Sequence, residues 1–388
     1  MPSIRFRGFD DAWEQRKAKE LFVSTADKGY PELPVLSATQ DRGMIRRDEN
    51  SINIFHDKKN EDGYKRVLPG QFVIHLRSFQ GGFAHSAIEG ITSPAYTVFG
   101  FSEPEKHDSE YWKYVFTSKS FIQRLETVTY GIRDGRSISY EEFLTLGFVY
   151  PSKAEQTAIA RYLDKLSDLI TLHQRKYEKL VNIKKSMLDK MFPKNGASVP
   201  EIRFKGFTDP WEQRKFGEVA TFINGRAYSQ PELLSSGKYK VLRVGNFYTN
   251  DSWYYSDLEL GEKYYADYGD LLYTWSATFG PHIWLGDRVI YHYHIWKISL
   301  SDQLEKQFAV QLLEQDRANI LSSKNGSTMV HITKEGMEQK DVIIPPSTKE
   351  QQKIGAFFSQ LDDLITLHQR ELEKLQSIKK ALLEKMFV

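Results

Sequence analysis

The sequence predicts an α+β protein in which two globular domains of mixed α and β structure are joined by two long antiparallel coiled-coil helices. Three observations predict this class. The chain contains an internal repeat with a period near 197 residues, a repeated segment follows a sustained heptad pattern, and runs of strand composition lie between the repeated segments. A period this long is not that of a solenoid and indicates a duplicated two-domain unit with pseudo-two-fold symmetry.

Two pieces of the chain occur twice. Residues 4–17 recur as 202–215, and residues 151–192 recur as 346–387 with 24 identities in 42 positions. The segments between them barely match, apart from a faint parallel between Gly70-Gln-Phe-Val-Ile-His and Gly269-Asp-Leu-Leu-Tyr-Thr. The repeated pieces have stayed alike, while the segments between them have diverged. This pattern favours a common frame that carries two different recognition surfaces, rather than neutral drift of two domains.

The repeated segments 151–192 and 346–388 are each predicted to be one long helix. Their apolar residues advance in alternating steps of four and three, which is a coiled-coil seam. Because a single helix of this length would expose its seam to water, the two copies are expected to pair in antiparallel orientation. The predicted helix-pair interface consists of Leu166, Ile170, His173, Tyr177, Leu180, Leu361, Ile365, His368, Leu372 and Leu375. The two histidines are interpreted as polar residues that fix the register, in preference to metal ligands.

Composition and motifs exclude several functional classes. The net charge of +2 is too small to make the whole chain a nucleic-acid binder, so DNA contact requires local basic patches. The chain has no cysteine, which fits the cytoplasm, and no apolar run that predicts a membrane span or signal peptide. It also lacks P-loop, dinucleotide-binding, zinc-protease and serine-hydrolase motifs. We therefore expect no cofactor and no metal in this chain, although scattered carboxylates leave a nuclease site open as a minor alternative.

Basic side chains in polar loops are the candidate DNA contacts. Arg reads guanine, Asn reads adenine and Lys mostly holds phosphate, although for each position an ordinary surface charge is an equal alternative. The candidates in the first globular domain are Arg42, Arg46, Arg47, Lys58, Lys59, Arg77, Arg133 and Arg136. Those in the second are Arg226, Lys240, Arg243, Tyr273, Lys324, Asn325 and Ser327.

Two further predictions concern local structure. Residues 288–298 have strand composition, so His292 and His294 would share one face, where packing or DNA contact is favoured over a metal site. Residues 110–125 and 306–321 are predicted to be helices.

The layout resembles the specificity (S) subunit of type I restriction–modification systems. The resemblance rests on Trp-Glu-Gln-Arg-Lys at 13–17 and again at 211–215, on the run at 34–43, on Val-Leu-Arg-Val-Gly-Asn at 241–246, and on the Glu-Gln pairs that begin both long helices. It covers essentially the whole chain. Each motif is weak alone, and their order and duplication make them specific.

The resemblance implies a domain plan and a function. Residues 1–150 and 193–345 would be target-recognition domains, and residues 151–192 and 346–388 would be spacer helices. Such a chain is non-catalytic, and each domain reads one half of a bipartite double-stranded DNA target. Because the two domains differ in sequence, the target is expected to be asymmetric.

The resemblance also implies partners. Two methyltransferase (M) subunits would bind S-adenosylmethionine, and restriction (R) subunits would use ATP and Mg²⁺, in the cytoplasm and without a membrane. The competing interpretations are a coiled-coil scaffold with two protein-binding heads, and a stand-alone nuclease or methyltransferase.

Overall fold

The computed structural model describes residues 2–39, 41–50, 58–75, 82–127, 139–194, 196–248, 250–276, 278–322 and 332–387. The chain forms two compact units: unit 1 comprises Met1–Gln174 and Arg370–Val388, and unit 2 comprises Arg175–Gln369. Within the described ranges, no helix is both long enough and apolar enough to span a membrane.

Short strands and two long helices make up most of the regular structure. The helices are α1 (Ala18–Leu21), α2 (Ser109–Thr117), α3 (Lys119–Thr127), α4 (Tyr140–Phe143), α5 (Lys153–Lys190), α6 (Phe216–Val219), α7 (Lys306–Ser322), α8 (Lys334–Glu338) and α9 (Thr348–Met386). The strands of unit 1 are β1 (Glu14–Lys17), β2 (Phe22–Thr25), β3 (Leu36–Thr39), β4 (Gly43–Arg46), β5 (Lys65–Val67), β6 (Phe72–Ile74), β7 (Phe83–His85), β8 (Gly90–Thr92), β9 (Thr97–Phe101) and β10 (Gly147–Tyr150). Those of unit 2 are β11 (Glu212–Lys215), β12 (Ala220–Asn224), β13 (Tyr239–Leu242), β14 (Tyr254–Ser256), β15 (Tyr265–Ala266), β16 (Leu271–Thr274), β17 (Gly280–Ile283), β18 (Val289–Tyr291), β19 (Ile295–Leu300) and β20 (Asp341–Ile344).

Both units contain a four-stranded antiparallel sheet with the same connectivity. The strand order is β2-β9-β6-β7 in unit 1 and β12-β19-β16-β17 in unit 2. The faint sequence parallel noted above falls on the equivalent strands β6 and β16. Gly70 and Gly269 precede these strands with φ of 86° and 88°, a conformation that favours glycine. The duplicated frame therefore extends into segments whose sequences have diverged.

The strands added to this shared sheet differ between the units. Unit 2 carries a second four-stranded sheet in the order β14-β13-β18-β15, in which β13 and β18 run parallel. The described part of unit 1 carries two two-stranded ladders instead, β3–β4 and β5–β8. The same frame thus supports two different surfaces.

Each hydrophobic core includes the beginning of one long helix and the end of the other. In unit 1, Leu163 and Leu166 of α5 share a core with Met386 of α9. In unit 2, Phe358 of α9 shares a core with Met191, directly after α5. The two helices therefore pair in antiparallel orientation within each unit. The fold class predicted from the sequence is confirmed, while its division into four segments stays a prediction.

Two of the local predictions are wrong in detail. The helix expected over 110–125 is two helices, because Ser118 adopts an extended conformation and its Oγ accepts a hydrogen bond from the Phe121 amide at 3.2 Å, which caps α3. The strand expected over 288–298 is interrupted between β18 and β19, where His292 to His294 form a turn closed by the Ile295 amide and the His292 carbonyl at 2.9 Å.

A buried ion pair anchors the start of each long helix. In unit 1, Arg5 donates to both carboxylate oxygens of Glu155 at 2.9 and 2.7 Å. In unit 2, Arg203 donates to both oxygens of Glu350 at 2.7 and 2.8 Å. Both glutamates are only 1% exposed. The duplicated lead-in segment, residues 4–17 and 202–215, is thereby attached to the duplicated helix, which explains why both pieces remained similar.

The glutamine that follows each glutamate fixes the same helix to its sheet domain. Gln156 accepts from the Asp108 amide and donates to the Pro151 carbonyl, both at 2.9 Å. Gln351 accepts from the Glu305 amide at 2.8 Å and donates to the Pro345 carbonyl at 2.9 Å. The Glu-Gln motif therefore joins three chain segments in each unit.

Breaking one buried pair should destabilise the protein strongly. We expect Arg203→Met to lower the free energy of unfolding by about 3–5 kcal/mol, because it leaves the buried Glu350 carboxylate without its cation. Guanidinium denaturation of the full chain measures this change.

Lys215→Met is the matched control. It removes the 2.7 Å pair of Lys215 with Asp341, whose side chains are 42% and 50% exposed, and exposed pairs contribute little. Equal losses in the two variants would contradict an anchoring role for the buried pair.

Candidate nucleic-acid interface

In unit 1, three predicted DNA contacts lie at one hairpin. Arg42 and Arg46 are exposed, in the turn before β4 and at the end of β4. Arg47 follows and is half-buried, and within the described part of the chain its Nε and one Nη find no hydrogen-bond partner. Lys58 and Lys59 begin a short 3₁₀ helix (Lys58–Gly63), but their side chains lie outside the description.

Several other candidates fall outside the described residues and stay predictions: Arg77, Arg133, Arg136, Lys324, Asn325 and Ser327.

In unit 2, the predicted contacts divide into surface and core residues. Lys240 is exposed, with its ammonium 5.2 Å from the Trp253 ring centroid. Tyr273 is fully buried and stacks on Trp296 at 5.8 Å. Tyr273 is therefore a core residue, because its side chain points from β16 towards the interior, and the structure contradicts a surface role for it.

Four of the ten predicted helix-pair residues pack in or against cores that contain parts of both long helices. Leu166 and Leu375 pack in the core of unit 1, and Leu180 and Leu361 pack in that of unit 2. Leu372 is 8% exposed. The other five are half-buried: Ile170, His173, Tyr177, Ile365 and His368.

The clearest candidate surface in the described part of unit 2 gathers around the turn that interrupts the predicted strand. We call it the histidine patch and define it by its members: Arg226, Tyr228, Arg243, Trp275, His292, Tyr293 and His294.

Backbone pairing holds two segments of the histidine patch together. The Arg226 amide donates to the Tyr291 carbonyl at 3.1 Å, and the Tyr293 amide donates to the Arg226 carbonyl at 3.0 Å. Any Cβ at Gly225 would lie 2.4 Å from the His292 carbonyl oxygen, so the close approach requires glycine there.

Aromatic rings line the histidine patch. The Tyr228 and His292 rings are near-parallel with centroids 6.4 Å apart, and the His292 and His294 rings are 4.9 Å apart. Trp275 lies 5.0 Å from His294, and its indole nitrogen donates to the Tyr293 carbonyl at 2.9 Å. Tyr293 is 39% exposed. Rings of this kind suit contact with bases and sugars.

The imidazoles of the histidine patch are neutral at physiological pH. Burial, followed by the electrostatic effects of His294 and Arg243, lowers the pKa of His292 to about 4. Burial also lowers the pKa of His294. A neutral imidazole both donates and accepts a hydrogen bond, which is what reading a base edge requires.

The two arginines of the histidine patch differ in how their charge is compensated. Arg226 forms an ion pair with Glu232 at 2.6 Å. The hydrogen bond from Arg226, with smaller effects of two hydrogen bonds from Ser229, lowers the pKa of Glu232 to about 2. Arg243 stacks on Tyr254 at 4.2 Å and donates to the Ser252 carbonyl at 3.3 Å, but makes no ion pair within the described chain. Arg243 is therefore the patch cation available to a phosphate or guanine.

A second imidazole lies on β17 in the same unit. The His282 ring stacks on Phe247 at 4.1 Å, and its Nε2 is 3.2 Å from the Tyr248 hydroxyl. Burial, with a smaller effect of the Arg317 charge, lowers the pKa of His282 to about 4.

Among the described residues, no three His, Asp or Glu side chains converge as metal ligands. The unit 2 surface instead offers rings, neutral imidazoles and an uncompensated guanidinium. The sequence singles out Arg226 and Arg243 as candidate contacts, and Trp275 among the aromatic residues that suit a recognition surface, but it does not single out Tyr228. The dense His-Tyr-His motif was the available signal, and the turn that presents it could not be predicted from strand composition.

Comparisons with known proteins agree on one family. Residues 208–377 match the type I restriction modification DNA specificity domain. A putative type I restriction enzyme MjaX specificity subunit from Methanocaldococcus jannaschii is 22% identical, over 96% of this chain and 92% of its own length. The MjaVIII specificity subunit of the same organism is 24% identical, over 60% of this chain and 59% of its own length.

The family model and the curated relatives support a type I restriction–modification specificity subunit. These similarities support a non-catalytic DNA-specificity subunit and not the scaffold alternative.

Solved structures agree with the fold of this chain. The S subunit of a type I system from M. genitalium is 15% identical, with a TM-score of 0.63, covering 100% of this chain and 99% of that one. A chain from a study of complex assembly and conformational transition in a type I system is 14% identical, with a TM-score of 0.54 and 98% coverage of both chains.

The neutral histidines predict that the specificity subunit loses stability in mild acid. His282 and His292 have a folded pKa near 4, below the ordinary value of about 6.5. As pH falls from about 6.5 to 4, the unfolded chain therefore binds protons that the folded chain does not, and folding weakens. His282→Asn or His292→Asn should each remove up to one proton from this dependence, measured by guanidinium denaturation across that range.

Tyr291→Phe is the control, because it removes a 2.6 Å hydrogen bond from the Tyr291 hydroxyl to the Lys263 carbonyl without removing a histidine. It should lower stability by a similar amount at every pH in the range. If either Asn variant kept the wild-type pH dependence, neutral histidine in the fold would be contradicted.

Proposed function

We propose that unit 1 and unit 2 each read one half of an asymmetric bipartite target in double-stranded DNA. The observation that carries this proposal is the repeated four-stranded sheet with unlike added strands. In unit 2 the histidine patch is the reading surface. In unit 1 the β3–β4 hairpin, with Arg42, Arg46 and Arg47, is the corresponding candidate.

In this proposal the long helices set the gap between the two half-sites of the DNA target and dock two methyltransferase subunits. Duplicated exposed leucines support two equivalent docking surfaces. Leu169 and Leu172 are 43% and 45% exposed on α5, and their repeat counterparts Leu364 and Leu367 are 43% and 52% exposed on α9. Exposed apolar residues at repeated positions favour two copies of one protein partner.

The chemistry belongs to the partners in this proposal. The methyltransferase subunits bind S-adenosylmethionine and methylate adenine, and restriction subunits that use ATP and Mg²⁺ join for cleavage. The complex acts in the cytoplasm. The specificity subunit contributes sequence recognition and assembly.

Arg243 provides the direct test of DNA reading by unit 2. In the complex with its methyltransferase, Arg243→Gln should weaken binding to the duplex target about 10-fold, since one base or phosphate contact contributes about 1–3 kcal/mol. The target is taken from the methylation map of the host DNA, and fluorescence anisotropy measures the affinity.

Arg288→Gln is a closely matched control in the same unit. Arg288 also lies 4.2 Å from a tyrosine ring, that of Tyr265, but its guanidinium pairs with Glu262 and Asp267. Its replacement should leave DNA affinity unchanged. Equal effects of the two variants, or no effect of Arg243→Gln, would refute the patch as a reading surface.

A further inference from the structure

Two lysines at equivalent positions of the repeat have different partners. Lys184 on α5 and Lys379 on α9 are 195 residues apart, which is the repeat offset. In unit 2, Lys184 forms an ion pair with Asp362 at 2.5 Å. In unit 1, the position equivalent to Asp362 is Ser167, and Lys379 donates to its Oγ at 2.8 Å.

The charge of Lys379 is left uncompensated in the described part of unit 1. The carboxylate of Asp164, whose charge raises the pKa of Lys379 in part, already accepts from Lys113 at 3.0 Å and from the Tyr114 hydroxyl at 2.6 Å. Burial, and then the positive charge of Lys113, lower the pKa of Lys379. A half-buried ammonium beside a second ammonium favours the arrival of an anionic group.

Lys379 lines an open groove of about 460 Å³ within unit 1. The lining of the groove includes the apolar residues Ile170 and Leu383. Two more lysines contribute to its wall, together with one carboxylate: Lys119, Lys380 and Glu384. We call this the Lys379 groove.

We propose that the Lys379 groove receives an acidic side chain of the methyltransferase subunit that docks on unit 1. The inference rests on the proposed function and adds the chemistry of one contact. In unit 2 the carboxylate that pairs with Lys184 comes from Asp362 of the same chain. In unit 1 the carboxylate that pairs with Lys379 comes from the methyltransferase. The two docking surfaces, alike in their exposed leucines, are therefore unequal in charge.

The composition of the groove favours a protein carboxylate over a DNA phosphate. Ile170 and Leu383 offer apolar contact beside the ammonium, which suits an acidic residue next to an apolar one. Glu384 lies among the lining residues, and its charge opposes the several charges of a phosphate backbone more than the single charge of one carboxylate. Protein–DNA interfaces are in contrast much more positively charged than protein–protein interfaces.

Ser167→Asp tests the proposal by giving Lys379 the partner that Lys184 has. Titration of the full-length specificity subunit with purified methyltransferase, by calorimetry and analytical ultracentrifugation, measures stoichiometry and both affinities. We expect one of the two sites to weaken about 10-fold or more, because the cation is already neutralised, and the other site to remain as in the wild type.

Lys379→Met supplies a second variant that removes the ammonium while keeping the aliphatic length. It should weaken the same single site. A thermal denaturation curve of each variant establishes whether it is folded. If Ser167→Asp does not fold, Lys379→Met is the variant that tests the proposal.

Lys184→Met is the matched control at the equivalent position. It should lower the stability of unit 2 through loss of its ion pair with Asp362, and leave both methyltransferase affinities unchanged. Weakening by this control equal to that of Lys379→Met would overturn the assigned asymmetry.

Two other outcomes would overturn the proposal. A third distinguishes failure of this proposal from failure of the proposed function. Two wild-type sites in both Ser167→Asp and Lys379→Met would exclude a methyltransferase contact. Unchanged methyltransferase binding with weaker DNA affinity of the complex would assign the groove to phosphate. If the wild-type chain bound no methyltransferase at all, the proposed function itself would fail.

Discussion

The buried arginine–glutamate pair at the start of each long helix is the constraint on which the rest of the structure depends. Glu155 and Glu350 are almost completely excluded from solvent, so each requires a cation that stays in place. Arg5 and Arg203 satisfy this requirement from the lead-in segments, and the neighbouring glutamines attach the same helix starts to the sheet domains. With the helix, the lead-in and the sheet domain fixed to one another, the loops and added strands of each unit could change without disturbing the frame.

Freedom to vary on a fixed frame explains the unlike surfaces of the two units. The shared sheets β2-β9-β6-β7 and β12-β19-β16-β17 retain their order although their sequences have diverged. A mixed four-stranded sheet is added in unit 2, and two short ladders are added in the described part of unit 1. In unit 2 this addition presents neutral imidazoles, aromatic rings and Arg243 together. The combination suits base and backbone contacts better than a uniformly basic surface would, and it agrees with the small net charge of the chain.

The repeat and the heptads were enough to predict the fold class, because both depend on local periodicity and identity. They were not enough to predict that the sheets are duplicated, since strand pairing depends on contacts distant in sequence. The interruption at His292 to His294 and the helix break at Ser118 arise from a turn and a side-chain cap that composition does not specify. Residue type alone predicts Arg226 and Arg243 as DNA contacts, and their role stays a prediction. The same reasoning is wrong for Tyr273, because aromatic composition does not distinguish a surface ring from one directed into the core.

The central claim is that one duplicated frame holds two different DNA readers, and the methylation pattern that the complex leaves on DNA tests it most directly. Sequencing-based mapping of methylated adenines, in cells that carry this chain and its methyltransferase, gives that pattern. The account predicts a motif of two unlike parts separated by a fixed number of unspecified bases, absent when this chain is deleted. A continuous or palindromic motif, or methylation that persists without this chain, would contradict it.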